Sequence, residues 1–237
     1  MKAILFDVDD TLYDQVVPFE NAYQAVFGDA YQISCQELFV ASRKHSDVVF
    51  EKSQNNEISM QEMYIYRISH AFRDFGIEIT DEQALRFQEL YGIGQKNITL
   101  IDPVKKLLRS LKKNGIILGI ITNGPSEHQR AKIKSLNLNY WIKYDYTFIS
   151  GDFEFSKPDI RIFEYAEQKL QLDKKDIWYV GDSYKNDVIG AKQAGWNCIW
   201  YNRRKHELPD IDIKPDFIVG DADSLDHIIQ LLLDKQS

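Results

Sequence analysis

The chain opens on a short apolar run, Ala3-Ile4-Leu5-Phe6, that stops abruptly at Asp7-Val8-Asp9-Asp10-Thr11. Four apolar residues without alternation suit a strand buried on both faces, and the acidic residues begin where that strand should end. In an open parallel α/β sheet the ligand crevice lies beyond the carboxyl ends of the strands, so this strand predicts delivery of Asp7 and Asp9 to a site. Residues i and i+2 of an extended chain point to the same side. Two carboxylates on one side repel each other unless a cation or a shared proton offsets the charge, which predicts a bound metal ion. Alone, Asp-Asp-Thr also has the composition of an ordinary turn. Three later stretches weigh against that reading.

From about Pro18 to Gly94 the pattern is helical, with no convincing strand. Ser34 to Glu37, Ser59 to Glu62 and Thr80 to Gln83 fit the capping box and mark three helix starts. A first helix is expected near Val17 to Phe27, and the helix after Ser59 has a face of Tyr64, Ile68, Ala71, Phe72 and Phe75. Strand and helix then alternate from Asp102-Pro103 onward. Val104, Leu107, Leu108 and Leu111 form a helical stripe. Strands are expected at Ile116 to Ile121, Thr147 to Ile149, Ile177 to Val180, Asn197 to Tyr201 and Phe217 to Val219. Helices are expected near Ser126 to Leu136, Arg161 to Leu170, Lys185 to Ala194 and Ser224 to Leu233. This alternation argues for an α/β fold: a Rossmann-like parallel sheet with a helical bundle inserted after the first strand. The expected domains are a core of residues 1–15 and 97–237 and a helical cap of residues 16–96.

Three further strand ends carry polar groups. Thr122-Asn123-Gly124 offers a hydroxyl and a run of amides suited to a phosphate oxygen, and reads equally as a strand-to-helix turn with local caps. Lys157 in Ser156-Lys157-Pro158-Asp159 could neutralise a phosphoryl group, or be one solvated lysine among many. Ile177 to Val180 ends in Gly181-Asp182-Ser183, with Asn186-Asp187 following, and so brings two more carboxylates to a strand end. Such oxygen ligands suit Mg2+, which is usually held by one or two carboxylates together with substrate oxygens. Asp187 also fits a first helical turn, complementing its dipole.

A net charge of −7 disfavours a partner such as a nucleic acid polymer or an anionic membrane, and leaves room for a small phosphorylated metabolite. Cys35 and Cys198 make neither a disulfide framework nor a metal knuckle. With an apolar strand starting the sequence and no run long enough to cross a bilayer, the expected location is cytoplasmic. No obligate protein partner is implied.

Taken in order, Asp7-x-Asp9-x-Thr11, Thr122, Lys157 before Pro158, and Gly181-Asp182-Ser183-x-x-Asn186-Asp187 resemble the four motifs of the haloacid dehalogenase-like superfamily. The resemblance spans nearly the whole chain, since many members insert a helical cap after the first motif. It implies that Asp7 attacks phosphorus to form an aspartyl-phosphate and that Asp9 is the general acid and base. Thr122, Asn123 and neighbouring amides would bind the phosphoryl group, with Lys157 offsetting charge there and on Asp7. Mg2+ would be held by Asp7, Asp182 and the backbone carbonyl of Asp9, with Asp187 orienting its water.

Hydrolysis of a phosphomonoester is the leading expectation, because Asp9 supplies the acid that an alkoxide leaving group needs. The dehalogenases of the superfamily carry no aspartate at that position, and its cation pumps need membrane spans. A sugar-phosphate mutase and a noncatalytic binding protein are the alternatives. Thr122 to Pro125 followed by Glu127, His128, Gln129 and Arg130 resembles the soluble nucleotidase branch, which points to nucleoside 5′-monophosphates. Arg43-Lys44-His45 is either a solvated helix face or a contact for a substrate's polar end, and Arg203 to His206 reads as an exposed loop.

Overall fold

The computed structural model describes residues 1–234. Its chain separates into two compact units, one formed by Met1–Asp14 and the chain from Thr99 onward, the other by Gln15–Ile98.

The first unit is built on six strands, β1 (Ala3–Phe6), β2 (Ile117–Thr122), β3 (Thr147–Ile149), β4 (Ile177–Gly181), β5 (Asn197–Tyr201) and β6 (Phe217–Val219). They form one sheet in the order β3-β2-β1-β4-β5-β6, and every pairing is parallel. Strand β1 lies between β2 and β4, with Ala3 opposite both Ile117 and Ile177. The chain winds outward from β1 in one direction and, from β4, in the other. The carboxyl ends of β1 and β4 therefore flank the point where the winding reverses, which is where such sheets open a crevice. The β1 side chains are fully buried, as expected of a central strand covered on both faces.

In the second unit α1 (Val16–Phe27), α2 (Cys35–Gln54), α3 (Met60–Arg73) and α4 (Asp81–Gly94) pack around an aromatic interior. Phe19 meets Phe87 edge to face with centroids 4.8 Å apart, and Phe27 meets Phe72 at 4.8 Å. Full capping boxes form at Ser59 with Glu62 and at Thr80 with Gln83, while at Ser34 the hydroxyl accepts from the Glu37 amide at 3.4 Å. A side chain at Gly94 would fall 2.9 Å from Pro18 Cβ, so the close approach of α1 and α4 requires glycine there. The α3 face differs at its ends from the sequence expectation. Met63 and Ser69 join Ile68, Ala71 and Phe72 inside, whereas Phe75 is exposed because the helix stops at Arg73, before the helical period reaches it.

The helices of the first unit are α5 (Asp102–Lys113), α6 (Ser126–Ser135), α7 (Ile160–Leu170), α8 (Ile189–Gln193) and α9 (Ala222–Asp234). Residues Val104, Leu107, Leu108 and Leu111 of α5 are buried. On the sheet, Leu5, Ile121 and Tyr179 share a core with Ile162 and Phe163 of α7 and Ala191 of α8. The continuous helix expected from Lys185 to Ala194 is instead a π-helical turn over Tyr184–Val188 followed by the short α8. The wider turn tucks Asp187 inside with no exposed surface, a use of π geometry common at functional sites. No helix among the described residues is long and apolar enough to cross a membrane.

Candidate active site

Asp7 follows β1 directly, and its amide continues the pairing by donating to the Val180 carbonyl at 2.9 Å. Its carboxylate meets Lys157, whose ammonium lies 2.8 Å from Asp7 Oδ1, 2.6 Å from Asp187 Oδ1 and 2.8 Å from the Tyr179 hydroxyl oxygen. An ammonium has three hydrogens, and these three acceptors engage all of them. Lys157 is thus a buried counter-ion to two carboxylates, its side chain only 2% exposed. In this arrangement a contact from Lys157 to a phosphate oxygen, as the sequence led us to expect, requires one of those three bonds to open. Burial would lower the Lys157 pKa, but the charges of Asp187 and Asp7 outweigh it and hold the ammonium well above its ordinary range. At Asp7 burial dominates: it pushes the carboxyl up to about 7 against the pull of Lys157, with Asp187 and Asp9 adding to the rise.

Asn123 explains how Lys157 is placed. Its side-chain amide donates to the Lys157 carbonyl at 2.9 Å and its side-chain oxygen accepts from the Lys157 amide at 3.0 Å. The side chain expected to bind phosphate is therefore a clamp on the lysine backbone. Behind it the Gly124 amide donates to Ser150 Oγ at 3.0 Å, and Gly151 donates back to the Gly124 carbonyl at 3.1 Å. A Cβ at Gly151 would lie 2.6 Å from the Ser126 amide nitrogen, so this loop contact excludes any side chain.

Asp9 has a cradle of its own. Lys132 of α6 reaches both its oxygens, at 2.6 and 2.8 Å, Tyr13 donates to Oδ1 at 2.5 Å, and Gln129 Nε2 lies 2.9 Å from Oδ2. Gln129 also lies 2.7 Å from Thr122 Oγ1 and 2.8 Å from the Asn123 carbonyl, tying Asp9 to the end of β2. Although burial alone would raise the Asp9 pKa, Lys132, Tyr13 and Gln129 together hold it well below the usual carboxylate range. Two aspartates two residues apart are therefore driven in opposite directions by their surroundings.

Just after β4, Asp182 is half-buried, and its backbone carbonyl accepts from Trp200 Nε1 at 2.8 Å. Asp187 Oδ2 accepts from the Ser183 amide at 2.9 Å, while Oδ1 faces Lys157 and Tyr179. A Cβ at Gly181 would lie 2.3 Å from Asp187 Oδ2, so only glycine lets this carboxylate fold under the strand end. One oxygen from each of Asp7, Asp182 and Asp187 falls within 4.8 Å of the others. An all-oxygen, carboxylate-rich set of this kind fits a hard divalent cation. Since both Asp187 oxygens are already engaged, Asp7 and Asp182 are the better placed to ligate. Asp9, expected there through its backbone carbonyl, has its carboxylate bound by Lys132.

Several side chains that matter here carry no motif. Lys132, Tyr13 and Tyr179 were not anticipated as site residues, although Gln129, Lys132, Ile133 and Leu136 fall at helical spacing and all are buried. A lysine on a core face is itself a signal that a buried anion is waiting for it. Arg130, grouped with the nucleotidase-like segment, pairs with Asp152 at 2.6 Å. The Arg203 to His206 segment is a loop, as expected, and exposed at Lys205 and His206, but its two arginines turn inward. The Arg204 side chain is 8% exposed and binds Asp10 and Asp14, each with a closest approach of 2.5 Å, and Arg203 pairs with Asp14 at 2.9 Å. Their partners, both in or just after the first motif, supply the counter-charges that let two arginines leave water. In the helical unit Arg43 and Lys44 are exposed, and His45 Nε2 lies 2.8 Å from Asp74.

Comparison with known proteins identifies the family. Pyrimidine 5'-nucleotidase YjjG of Escherichia coli K12 is 32% identical over 229 residues, spanning 95% of this chain and 96% of the relative. An (S)-2-haloacid dehalogenase of Pseudomonas putida is 26% identical, with 92% of each chain covered. Among solved structures, the magnesium-bound putative HAD-hydrolase YfnB of Bacillus subtilis superposes with a TM-score of 0.71 at 23% identity, over 96% of this chain and 98% of that one. The fold is thus shared across members of differing activity. The model of the haloacid dehalogenase-like hydrolase family matches residues 1–195, from β1 through α8, and the chain belongs to that family.

Proposed function

We propose that this enzyme hydrolyses phosphomonoesters through an aspartyl-phosphate on Asp7, and that its substrates are small metabolites of the nucleoside 5'-monophosphate class. The observation that carries the reading is the acidic cluster beyond the ends of β1 and β4, where one oxygen from each of Asp7, Asp182 and Asp187 falls within 4.8 Å of the others and the Lys157 ammonium lies 2.8 Å from Asp7. The cradle as it stands suits ionised Asp9, the base of the second step, and for the first step Asp9 takes up a proton with a donor bond to that oxygen open. An Asp7 oxygen attacks phosphorus, the bond from phosphorus to the leaving oxygen breaks, and Asp9 gives that oxygen its proton. Water then attacks the phosphorus of the aspartyl-phosphate and passes a proton to Asp9. The bond to Asp7 breaks and phosphate leaves. Thr122 and the amides beside it bind the phosphoryl oxygens, and Asn123 holds Lys157 in place to neutralise Asp7 and Asp187. Asp7 and Asp182 would hold Mg2+, which when bound would neutralise charge on the nucleophile and the phosphoryl group.

The nucleotide class rests on the 32% identity to a pyrimidine nucleotidase across nearly the whole length. The helical unit, residues 15–98, is proposed as the cap that selects the leaving group, because a core fold shared by many activities leaves that choice to what is inserted into it. A panel of nucleoside monophosphates, sugar phosphates and small acid phosphates, assayed for free phosphate with Mg2+ and after exhaustive chelation, tests the proposal. Release of phosphate that stops on chelation and is fastest with nucleotides is expected. Full activity without a divalent ion, or an isomer as product in place of phosphate, would overturn it.

A further inference from the structure

The Asp9 cradle is more than a counter-charge. Lys132 approaches along α6 with its side chain 5% exposed and bonds both carboxylate oxygens, whereas Tyr13 and Gln129 hold one oxygen each. A carboxyl with one donor can rotate about its last torsion. With a bidentate ammonium on a packed helix it cannot, and its plane is fixed relative to β1 and β2. The Gln129 amide bound to the second oxygen also holds Thr122 Oγ1, so α6 places the acid and the phosphoryl-binding end of β2 as one piece.

We infer that Lys132 is a positioning residue for the proton transfer to the leaving group, and thereby sets how poor a leaving group the enzyme can expel. The inference rests on Asp9 being the general acid and base. Lys132 need not touch substrate. The two bonds belong to the ionised carboxylate; when one Asp9 oxygen carries the proton, the bond from Lys132 to the other still fixes where the carboxyl stands, and general acid catalysis falls off steeply when that geometry is lost.

The test compares two substrates on each protein sample: a nucleoside 5'-monophosphate, whose alkoxide must be protonated as it departs, and 2,4-dinitrophenyl phosphate, whose leaving group departs as a stable anion. The ratio of their kcat/KM values is independent of the folded fraction, so a variant that folds poorly still gives a result. Lys132→Met is expected to lower the ratio of nucleotide to dinitrophenyl ester by about 10-fold or more, and Lys132→Arg, which keeps charge and two donors, to restore part of it. Asp9→Asn should lower the same ratio further, by roughly 10²–10⁴-fold. In the Asp9→Asn background Lys132→Met should have no additional effect, because the residue acts only through that carboxyl. If Asp9→Asn shifts the ratio and Lys132→Met does not, or if Lys132→Met shifts it equally in the Asp9→Asn background, the inference fails while the general acid stands. If Asp9→Asn leaves the ratio unchanged, the general-acid assignment falls and the role of Lys132 falls with it.

Discussion

The two units of the chain bury different kinds of matter. In the helical unit the interior is Phe19, Tyr23, Phe27, Phe39, Phe72 and Phe87, while the ion pairs Arg73–Glu78 and Arg86–Glu89 sit on its surface. The sheet unit keeps an apolar core too, but at the strand ends it also buries charge: Lys157 with Asp7 and Asp187, Lys132 with Asp9, Arg204 with Asp10 and Asp14. Apolar packing stabilises in rough proportion to the area removed from water, and tolerates many solutions. A buried ion pair adds little net stability but becomes costly once one partner is lost. The contrast teaches that the sheet unit holds its charges in fixed positions for chemistry, whereas the helical unit is held by shape.

The largest effects should come from removing one member of the buried charge set. Asp7→Asn is expected to abolish turnover and covalent phosphorylation, since the shape survives and the nucleophilic charge does not. It should also remove a pH dependence of stability. Burial raises Asp7 from its ordinary 3.8 to about 7, so the folded chelated protein retains a proton there that the unfolded chain gives up. The stability this contributes is complete below about pH 4 and lost as pH rises through 7. Melting curves of the chelated protein across that range should show the loss in the native chain and not in Asp7→Asn. Lys157→Met should lower kcat by on the order of 10²–10³. Without its ammonium two carboxylates are stranded, so its melting temperature should fall in chelator and recover partly with Mg2+. A Lys157→Met protein as active as the native one would break the comparison at its centre.

The converse change belongs in the helical unit. Phe72 is fully buried against Tyr23, Phe27 and Tyr31, and Phe72→Ala should destabilise by about 3–5 kcal/mol through lost contacts and an unfilled cavity. Below its transition, kcat for a small aryl phosphate should stay within about threefold of the native value, because no member of the charge set has moved. Urea denaturation and steady-state assays on the same preparation make the comparison. A loss of kcat as deep as that of Lys157→Met would show that the two interiors are not separable in the way their composition suggests.

The same contrast explains what could be read without coordinates. Every strand position was legible within a residue or so: the central strands Ala3–Phe6 and Ile177–Gly181 are fully buried and read as bare apolar runs, and even the edge strand Phe217–Val219, with Ile218 exposed, stands where the sequence places it. Capping boxes at Ser59 and Thr80 were equally plain, because cap and partner are three residues apart. The pairings of Lys132 with Asp9 and Arg204 with Asp10 span well over a hundred residues, and no local pattern encodes them. The π turn at Tyr184–Val188 was hidden for a different reason. It exists to seat Asp187 beneath Gly181, a tertiary demand that overrides a segment otherwise composed like a helix.

The smallest effect separates two reasons for the arginine pair after β5. Asp10 has φ +57°, a left-handed conformation costly for a residue with a side chain, and Arg204 binds both its oxygens, with its Nε at 2.7 Å from Oδ2 and an Nη2 at 2.5 Å from Oδ1. Leu12, two residues on, accepts from the Ile101 amide at 3.1 Å, so this bend also joins the outgoing and returning chain of the sheet unit. If Arg204 serves to hold Asp10 in its bend, Arg204→Gln should cost more in the native background than in Asp10→Gly. Glycine takes a positive φ without strain and leaves no carboxylate stranded. The difference between the two backgrounds should be about 1–2 kcal/mol in urea unfolding, within the range found for directly interacting side chains. Equal cost in both backgrounds would mean that Arg204 acts mainly through Asp14, the other carboxylate it binds at 2.5 Å, and that the bend at Asp10 is held by its own loop.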